Sequence, residues 1–353
     1  MKEKVLVAMS GGVDSSVAAF LLKKDGFDVS GITMCFGITK DGEKPRCCGP
    51  EAMHDAKRVC HKLGIPHHVL NFSDDLKKHV IDDFICAYTK GKTPNPCIEC
   101  NRHLKFQILL DKARAMGFDF LATGHYAKIR KIKQNFILEK PRDKKKDQTY
   151  FLYTKKKDML KFIKFPLENL TKEKVRGIAK KAGIPVADKP QSQGICFIPD
   201  GNYRKFILEK TTAQPEGPIL DVKGNVLGRH KGIFSYTIGQ REGLGISYKK
   251  ALYVISISLE KNEIVVGEKK DLKAKAFLAK KVNLLVDNMP KAASAKIRYE
   301  YKKEAKCNIA QEGEKLKTTF NRPQDAVTPG QSVVFYKDNT VLGGAIIEEV
   351  LHG

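Results

Sequence analysis

A chain of 353 residues with 64 Lys and Arg against 40 Asp and Glu carries a net charge of +24, on a composition 42% hydrophobic and 29% charged. These proportions suit a folded chain with room for two or three domains, and they exclude disorder throughout. No apolar run approaches the roughly 20 residues a membrane-spanning helix needs, and Val5 to Met9 are too few for a secretory signal core, so the chain is expected in the cytoplasm. The cationic excess is uneven. Residues 128–161 hold 13 Lys and Arg against 4 Asp and Glu, a clustering that favours a polyanionic partner such as RNA over a general lysine bias.

Lys4-Val-Leu-Val-Ala-Met9 reads as a strand, Ser10-Gly-Gly-Val-Asp-Ser-Ser16 as a glycine turn, and the stretch through Val17, Phe20 and Leu21 as a helix. Further on, the pattern predicts a strand over 29–34, a helix opened by Pro50 and running to 63, and a strand over 67–70. A helix capped by Asp74 or Asp75 should run to 88, another from about 102 to 116, and a strand should follow over 120–122. Strands and helices alternating at these lengths imply an α/β, Rossmann-like, doubly wound parallel sheet. After about Leu208 the chain changes to short β-branched runs, two within 217–227 around the turn at 223–225, then over 252–257, 263–266, 292–299, 307–310, 331–336 and 341–347. They predict a small β-rich central domain and a C-terminal β-barrel, with domains at 1–208, 209–273 and 274–353.

The sharpest chemical signal is Ser10-Gly11-Gly12-Val13-Asp14-Ser15 between strand and helix. Two glycines let successive N–H groups and the helix N-terminus face an anion, and the serines add hydroxyl donors. The usual phosphate loop with its lysine is absent, as is the dinucleotide fingerprint. The loop instead resembles the pyrophosphate loop of enzymes that cut ATP between the α- and β-phosphates and transfer AMP. The second signal is sulfur. Nine cysteines include Cys97-x-x-Cys100, reached through Thr93-Pro-Asn-Pro96, and Cys196 in Ser192-Gln-Gly-Ile-Cys196. The prolines should hold an extended approach, and a helix starting near Asn101 would activate a thiol at its N-terminus.

With these residues in place the chain resembles the tRNA-specific 2-thiouridine synthetases, or 2-thiouridylases, over nearly its whole length. The resemblance rests on Ala8-Met-Ser-Gly-Gly-Val-Asp-Ser15, Gly91-Lys-Thr-Pro-Asn-Pro96 with Cys100-Asn101, Ala122-Thr-Gly-His-Tyr126, Lys146-Asp-Gln148 before Tyr150-Phe-Leu152, Ser192-Gln-Gly-Ile-Cys196 and Tyr236-Thr-Ile-Gly-Gln-Arg241. It implies an adenine nucleotide alpha-hydrolase-like fold and ATP-dependent 2-thiolation of the wobble uridine of tRNA. It also implies an ATP site formed by Ala8, Met9, Ser10, Gly11, Gly12, Val13, Asp14, Ser15, Met34 and Gly124, with Mg²⁺ accompanying the nucleotide. Cys100 corresponds to the nucleophile and Cys196 to the persulfide carrier, the two ending as a disulfide. Asn95, Pro96 and Cys97 correspond to the segment meeting the target base. His125, Lys146, Asp147, Gln148, Arg298, Tyr299 and Gln331 correspond to tRNA contacts, and a sulfur-donor protein is the implied second partner.

Many members carry Asp where this chain has Cys97, so a carboxylate role in moving protons does not carry over. Three thiols at Cys97, Cys100 and Cys196 also suit a [4Fe–4S] cluster with one open iron, which stands beside persulfide relay as the second mechanism. Two further classes remain open at this point. Another pyrophosphate-loop enzyme, such as a tRNA lysidine synthetase, would account for the loop but not the cysteines. A non-catalytic RNA-binding protein would account for the charge alone.

Overall fold

Val5, Leu6 and Val7 are completely shielded from solvent and form the middle of β1 (Lys4–Ala8). A strand buried on both faces reads as an unbroken apolar run, which suits the centre of a parallel sheet packed between helices. In this computed structural model, which describes residues 2–37, 50–190, 194–212, 214–301 and 303–351, β1 is that centre. It pairs with β2 (Asp28–Cys35) on one edge and β4 (Phe120–Thr123) on the other, while β3 (His67–Asn71) extends β2 and β7 (Ile163–Lys164) extends β4. All four pairings are parallel, in the order β3-β2-β1-β4-β7. α1 (Val13–Lys24), α2 (Pro50–Leu63) and α3 (Lys172–Lys181) bring Val17, Ala18, Val59, Val175 and Ala179 to the same core.

The chain divides into two compact units. The first comprises Met1–Val80, Cys97–Pro199 and Asn339–Val341, and the second comprises Ile81–Pro96, Asp200–Asp338 and Leu342–Gly353. Three expectations for the α/β part are corrected. The helix after β3 begins at Ser73, inside which Asp74 and Asp75 lie. Its start is met by Asn71, whose side chain accepts from the Ser73 amide at 3.0 Å. The helix expected from 102 begins at Pro96, because proline is pre-organised for a first helical position. The basic stretch holds an unforeseen hairpin, β5 (Lys128–Ile132) and β6 (Asn135–Glu139), clamped by Arg130 on Glu139 at 2.7 and 3.1 Å.

In the second unit β8 (Gly217–Asp221), β9 (Val226–His230), β10 (Tyr253–Ser258) and β11 (Glu263–Gly267) form a sheet ordered β10-β11-β8-β9. Its core holds Ile219, Val254, Ile264 and Val266. The β8–β9 turn is built by Asp221, whose carboxylate accepts from the amides of Lys223 and Asn225 at 2.8 and 2.9 Å. β12 (Lys273–Leu284), β13 (Ala292–Lys296), β14 (Ala305–Glu312), β15 (Lys315–Asp325), β16 (Ser332–Lys337) and β17 (Thr340–Leu351) run in the order β12-β15-β14-β13-β16-β17. β12 also pairs with β17, which closes the barrel around Phe277, Phe320 and Phe335. β13 stops at Lys296, so Arg298 and Tyr299, expected within a strand, follow its end.

On the barrel wall Glu348 accepts from Lys280 and stands 2.6 Å from Lys315. These bonds hold its carboxyl down from 4.5 to about 2. A carboxylate with a depressed folded-state pKa stabilises fully above its unfolded value, and that contribution is lost as pH falls from 4.5 towards 2. Glu348→Gln should therefore lower the melting temperature at about pH 7, with the gap from wild type narrowing below about pH 4.5 and closing only near pH 2. A gap of constant size across that range would show that the ion pairs contribute nothing.

Candidate functional site

In an open parallel sheet, ligands bind beyond the carboxyl ends of the strands where the strand order reverses. Here that point lies between β1 and β4, and the Ser10–Ser15 loop and Gly124 leave those two strand ends. Gly11 has φ +69°, and a Cβ there would lie 2.2 Å from the Ala52 carbonyl oxygen of α2, so only glycine fits. Gly12 precedes the first turn of α1 with no side-chain cap. The turn is braced from within: Ser15 and Ser16 hydroxyls donate to the Gly12 carbonyl at 3.1 and 2.8 Å, and the Ser10 amide donates to Ser15 Oγ at 3.2 Å. A Cβ on Gly124 would lie 2.6 Å from the Ser15 amide nitrogen. The two strand ends thus meet backbone to backbone, leaving helix-start N–H groups as an anion site. Met9 is buried and Met34 half-buried at the adjacent end of β2.

Asp14 is the loop's charged residue, and the fold supplies two partners that local sequence could not reveal. Lys172, at the start of α3 and 158 positions away, donates to both Asp14 oxygens at 2.6 and 2.7 Å. Tyr126 donates its hydroxyl to Asp14 Oδ1 at 2.9 Å. Burial, followed by the Asp14 charge, pushes the Tyr126 phenol up, so it stays a donor. The Tyr126 backbone then exchanges hydrogen bonds with Gln148: its amide donates to Gln148 Oε1 at 2.8 Å, and its carbonyl accepts from the Gln148 amide at 3.0 Å. Asp147 caps the next turn, accepting from the Thr149 amide at 2.9 Å, and Lys146 precedes it. Asp143 ties the same segment to α3 by accepting from the Lys172 amide at 2.9 Å. Gln148 and Asp143 therefore belong to one hydrogen-bonded network with the loop, and Lys146 and Asp147 lie between them in the chain.

Cys97 and Cys100 both lie in the helical run that opens at Pro96, one turn apart, in place of the extended loop expected. Cys97 is exposed and Cys100 is 8% exposed. Although Cys97 reaches solvent, the surrounding chain raises its pKa, with Lys105 opposing and Cys100 adding to the rise. His125 bonds Thr123 Oγ1 through Nδ1 at 2.7 Å and sits against Phe106 and Phe165. Burial, then Lys105 and Lys155, pushes it well below the usual imidazole range, so it is neutral at pH 7. Cys196 is exposed; Ser192 and Gln193 of its motif, like Cys47 and Cys48, lie outside the described residues. Among the described residues no three His, Cys, Asp or Glu form a group that could hold a metal ion.

In the second unit Gln331 donates to the Thr93 carbonyl at 2.8 Å, and the Thr93 amide donates to the Pro329 carbonyl at 3.1 Å. The segment before Asn95 and Pro96 is thereby fixed. Arg298 donates to the Ile238 carbonyl at 2.8 Å and to Thr328, and it lines an open cavity with Arg204, Thr237 and Gln240. Lys296 stands 5.2 Å from the centre of the Tyr299 ring.

Residues 3–200 match the family described as tRNA methyl transferase HUP domain, residues 204–268 its PRC-barrel domain, and residues 274–347 an aminomethyltransferase beta-barrel domain. The tRNA-specific 2-thiouridylase MnmA 1 of Syntrophus aciditrophicus is 51% identical over 352 residues, covering 100% of this chain and 94% of that protein. The tRNA-specific 2-thiouridylase MnmA of Caldicellulosiruptor saccharolyticus is 48% identical over 361 residues, covering 99% and 100%. Among solved structures, a 4-thiouridine synthetase–RNA complex with bound ATP matches 59% of this chain and 50% of that chain at 20% identity and a TM-score of 0.37, too slight to argue from.

Gly124→Ala tests the backbone contact at the loop. A methyl group 2.6 Å from the Ser15 amide must displace the loop. ATP affinity measured by calorimetry should fall tenfold or more, about 1.4 kcal/mol, with the fold retained. An affinity within about twofold of wild type would mean that the nucleotide binds elsewhere.

Proposed function

The chain belongs to the tRNA-specific 2-thiouridylase family, and from that premise we propose that it replaces the C2 oxygen of the wobble uridine of tRNA with sulfur, consuming ATP. The observation that carries this reading is the Ser10–Ser15 loop, closed by Gly124 at the switch point, in the same compact unit as Cys97, Cys100 and Cys196. Methyl transfer, the activity in the name of the matching family, requires neither a loop of this kind nor a cysteine pair.

Uracil C2 is a poor electrophile with a poor leaving group. Attack of its oxygen on the ATP α-phosphate, with pyrophosphate leaving, converts that oxygen into a phosphate ester. N–H groups at the start of α1 face the departing charge. Lys172 brings a positive charge to a loop that has no lysine of its own. Mg²⁺ enters as part of the nucleotide substrate. In the second stage sulfur carried on Cys196 attacks C2, and AMP departs with the original oxygen. Cys100 attacks the inner sulfur of the persulfide, leaving a Cys100–Cys196 disulfide that an external thiol must reduce. Exposure of Cys196 supports a role in accepting sulfur from a donor protein, and the shielding of Cys100 supports one in the step that must exclude water.

Asn95, Pro96 and Cys97 are read as the segment against the extruded base, with Gln331 acting on tRNA recognition through its hold on Thr93. His125, Lys146, Asp147, Gln148, Arg298 and Tyr299 are read as further RNA contacts, on a chain whose charge suits that partner. No helix among the described residues is long and apolar enough to cross a membrane, and a tRNA-modifying role fits the cytoplasm.

Nucleoside mass analysis of tRNA incubated with the protein, MgATP and a persulfide donor tests the reading. A uridine heavier by the exchange of one oxygen for sulfur should appear only with ATP. Cys100→Ser should abolish it while pyrophosphate release continues. ATP turnover without thiolated nucleoside, or with lysine incorporated, would overturn the assignment. Binding offers a second check. Replacing Lys144, Lys145 and Lys146 with alanine should weaken tRNA binding and flatten its log–log salt dependence by about 0.7–0.9 for each phosphate that is no longer neutralised. An unchanged slope would assign those lysines to solvated surface.

A further inference from the structure

One cavity, of about 480 Å³, belongs wholly to the second compact unit. It lies between the start of the short helix Tyr203–Leu208 and the loop over 237–243, which carries most of the Tyr236-Thr-Ile-Gly-Gln-Arg241 motif. Two guanidinium groups line it, and each is pinned to the main chain. Arg204 donates through Nε to the Ser235 carbonyl at 2.9 Å, and Arg298 donates through Nη2 to the Ile238 carbonyl at 2.8 Å and to Thr328. The loop is stiff as well. Gln240 accepts from the Thr237 amide at 3.1 Å and donates to the Glu242 carbonyl at 2.9 Å. Gly239, at φ +87°, brings the backbone alongside Arg298: a Cβ there would lie 2.9 Å from the Ala326 methyl carbon and 3.8 Å from Arg298 Nη2. Each arginine keeps N–H donors beyond these bonds, and among the described residues neither forms an ion pair, although Glu242 lines the same cavity.

Two like charges lining one cavity without a counter-ion repel each other, and an anion between them removes that cost. Guanidinium forks fixed in advance lose little freedom on meeting a phosphate. A bare phosphate would leave most of the space empty, whereas cavities of about 300–1,000 Å³ hold ligands larger than that ion. The open side suits one unit of a polymer, whose two ends must leave, better than a detached molecule. We propose that this cavity seats one nucleotide of the RNA substrate, its phosphate held by Arg204 and Arg298 and the donors of its sugar or base turned to Glu242. It is not the reacting uridine, which must meet the Ser10–Ser15 loop and the cysteines, none of which lines this cavity. The seated nucleotide rests against Thr237, whose hydroxyl accepts from Thr93 Oγ1 at 3.3 Å, two residues before Asn95. Binding here is thus tied through two hydroxyls to the segment read as meeting the target base. That the occupant is RNA rests on the function proposed above; that it is an anion does not.

Arginine modification by phenylglyoxal, followed by peptide mass mapping of the full chain, tests this. With tRNA at about ten times its Kd, labelling of Arg204 and Arg298 should slow about tenfold. Arg229, exposed on β9 in the same unit, should label as it does without tRNA. AMP or ATP at millimolar concentration should protect neither cavity arginine. Arg204 is exposed, so its variants should fold, which a melting temperature equal to that of wild type would establish. In Arg204→Gln the log–log salt dependence of tRNA binding should flatten by about 0.7–0.9, the loss of one phosphate contact, and Arg204→Lys, which keeps the charge, should retain the wild-type slope. Protection by AMP equal to that by tRNA would make the cavity a site for free nucleotide, and labelling undisturbed by tRNA would leave it without an RNA occupant. Either result overturns the proposal. Protection by tRNA in a protein that does not thiolate it would keep the RNA site and remove the functional reading.

Discussion

Two stretches of backbone, one after β1 and one after β4, approach so closely that neither leaves room for a methyl group. Gly124 lies against the Ser15 amide, and Gly11 lies against the Ala52 carbonyl. The Ser10–Ser15 loop, the central strand and α2 are therefore one tightly packed piece, and the strand order that makes β1 and β4 neighbours is what brings the piece together. A buried strand such as β1 tolerates little movement, because its side chains are packed on both faces. The precision of the loop is inherited from the core beneath it.

Much of this was legible in the sequence because periodicity and glycine placement are local. The runs over 4–9, 29–34 and 67–70 formed strands within a residue or two of expectation, and the loop fell where strand gave way to helix. What could not be read was whatever depends on distant partners. Lys172 meets Asp14 across 158 positions, and no pattern near either residue records it. Proline also misled, since Pro96 reads equally as the end of an extended loop or the first residue of a helix, and tertiary packing chose the helix. The β5–β6 hairpin was hidden by its own charges, because strands with exposed lysines lack the apolar alternation that announces them.

The cysteines show a related division. Their spacing singled out three sulfur atoms, and exposure sets them apart: Cys97 and Cys196 face solvent, and Cys100 does not. Lys155 drew attention in the sequence only as one lysine in a basic run, yet it is buried while Lys156 beside it is exposed and Lys157 is half-buried. Composition had grouped these residues as a charged patch. Packing separates them into one interior group and its outward neighbours, and only the latter are available to a polyanion.

The Asp14–Lys172 pair sets a threshold for whatever approaches the loop. An incoming anion does not meet an uncommitted cation, because that ammonium already stands 2.6 Å from a carboxylate. To draw it away, the newcomer must offer more charge than Asp14 does or bring a cation of its own to occupy the carboxylate. Chloride brings neither, whereas a polyphosphate carrying a divalent ion brings both. A contact within the protein thus leaves the cation beside the loop already committed to a carboxylate before any ligand arrives.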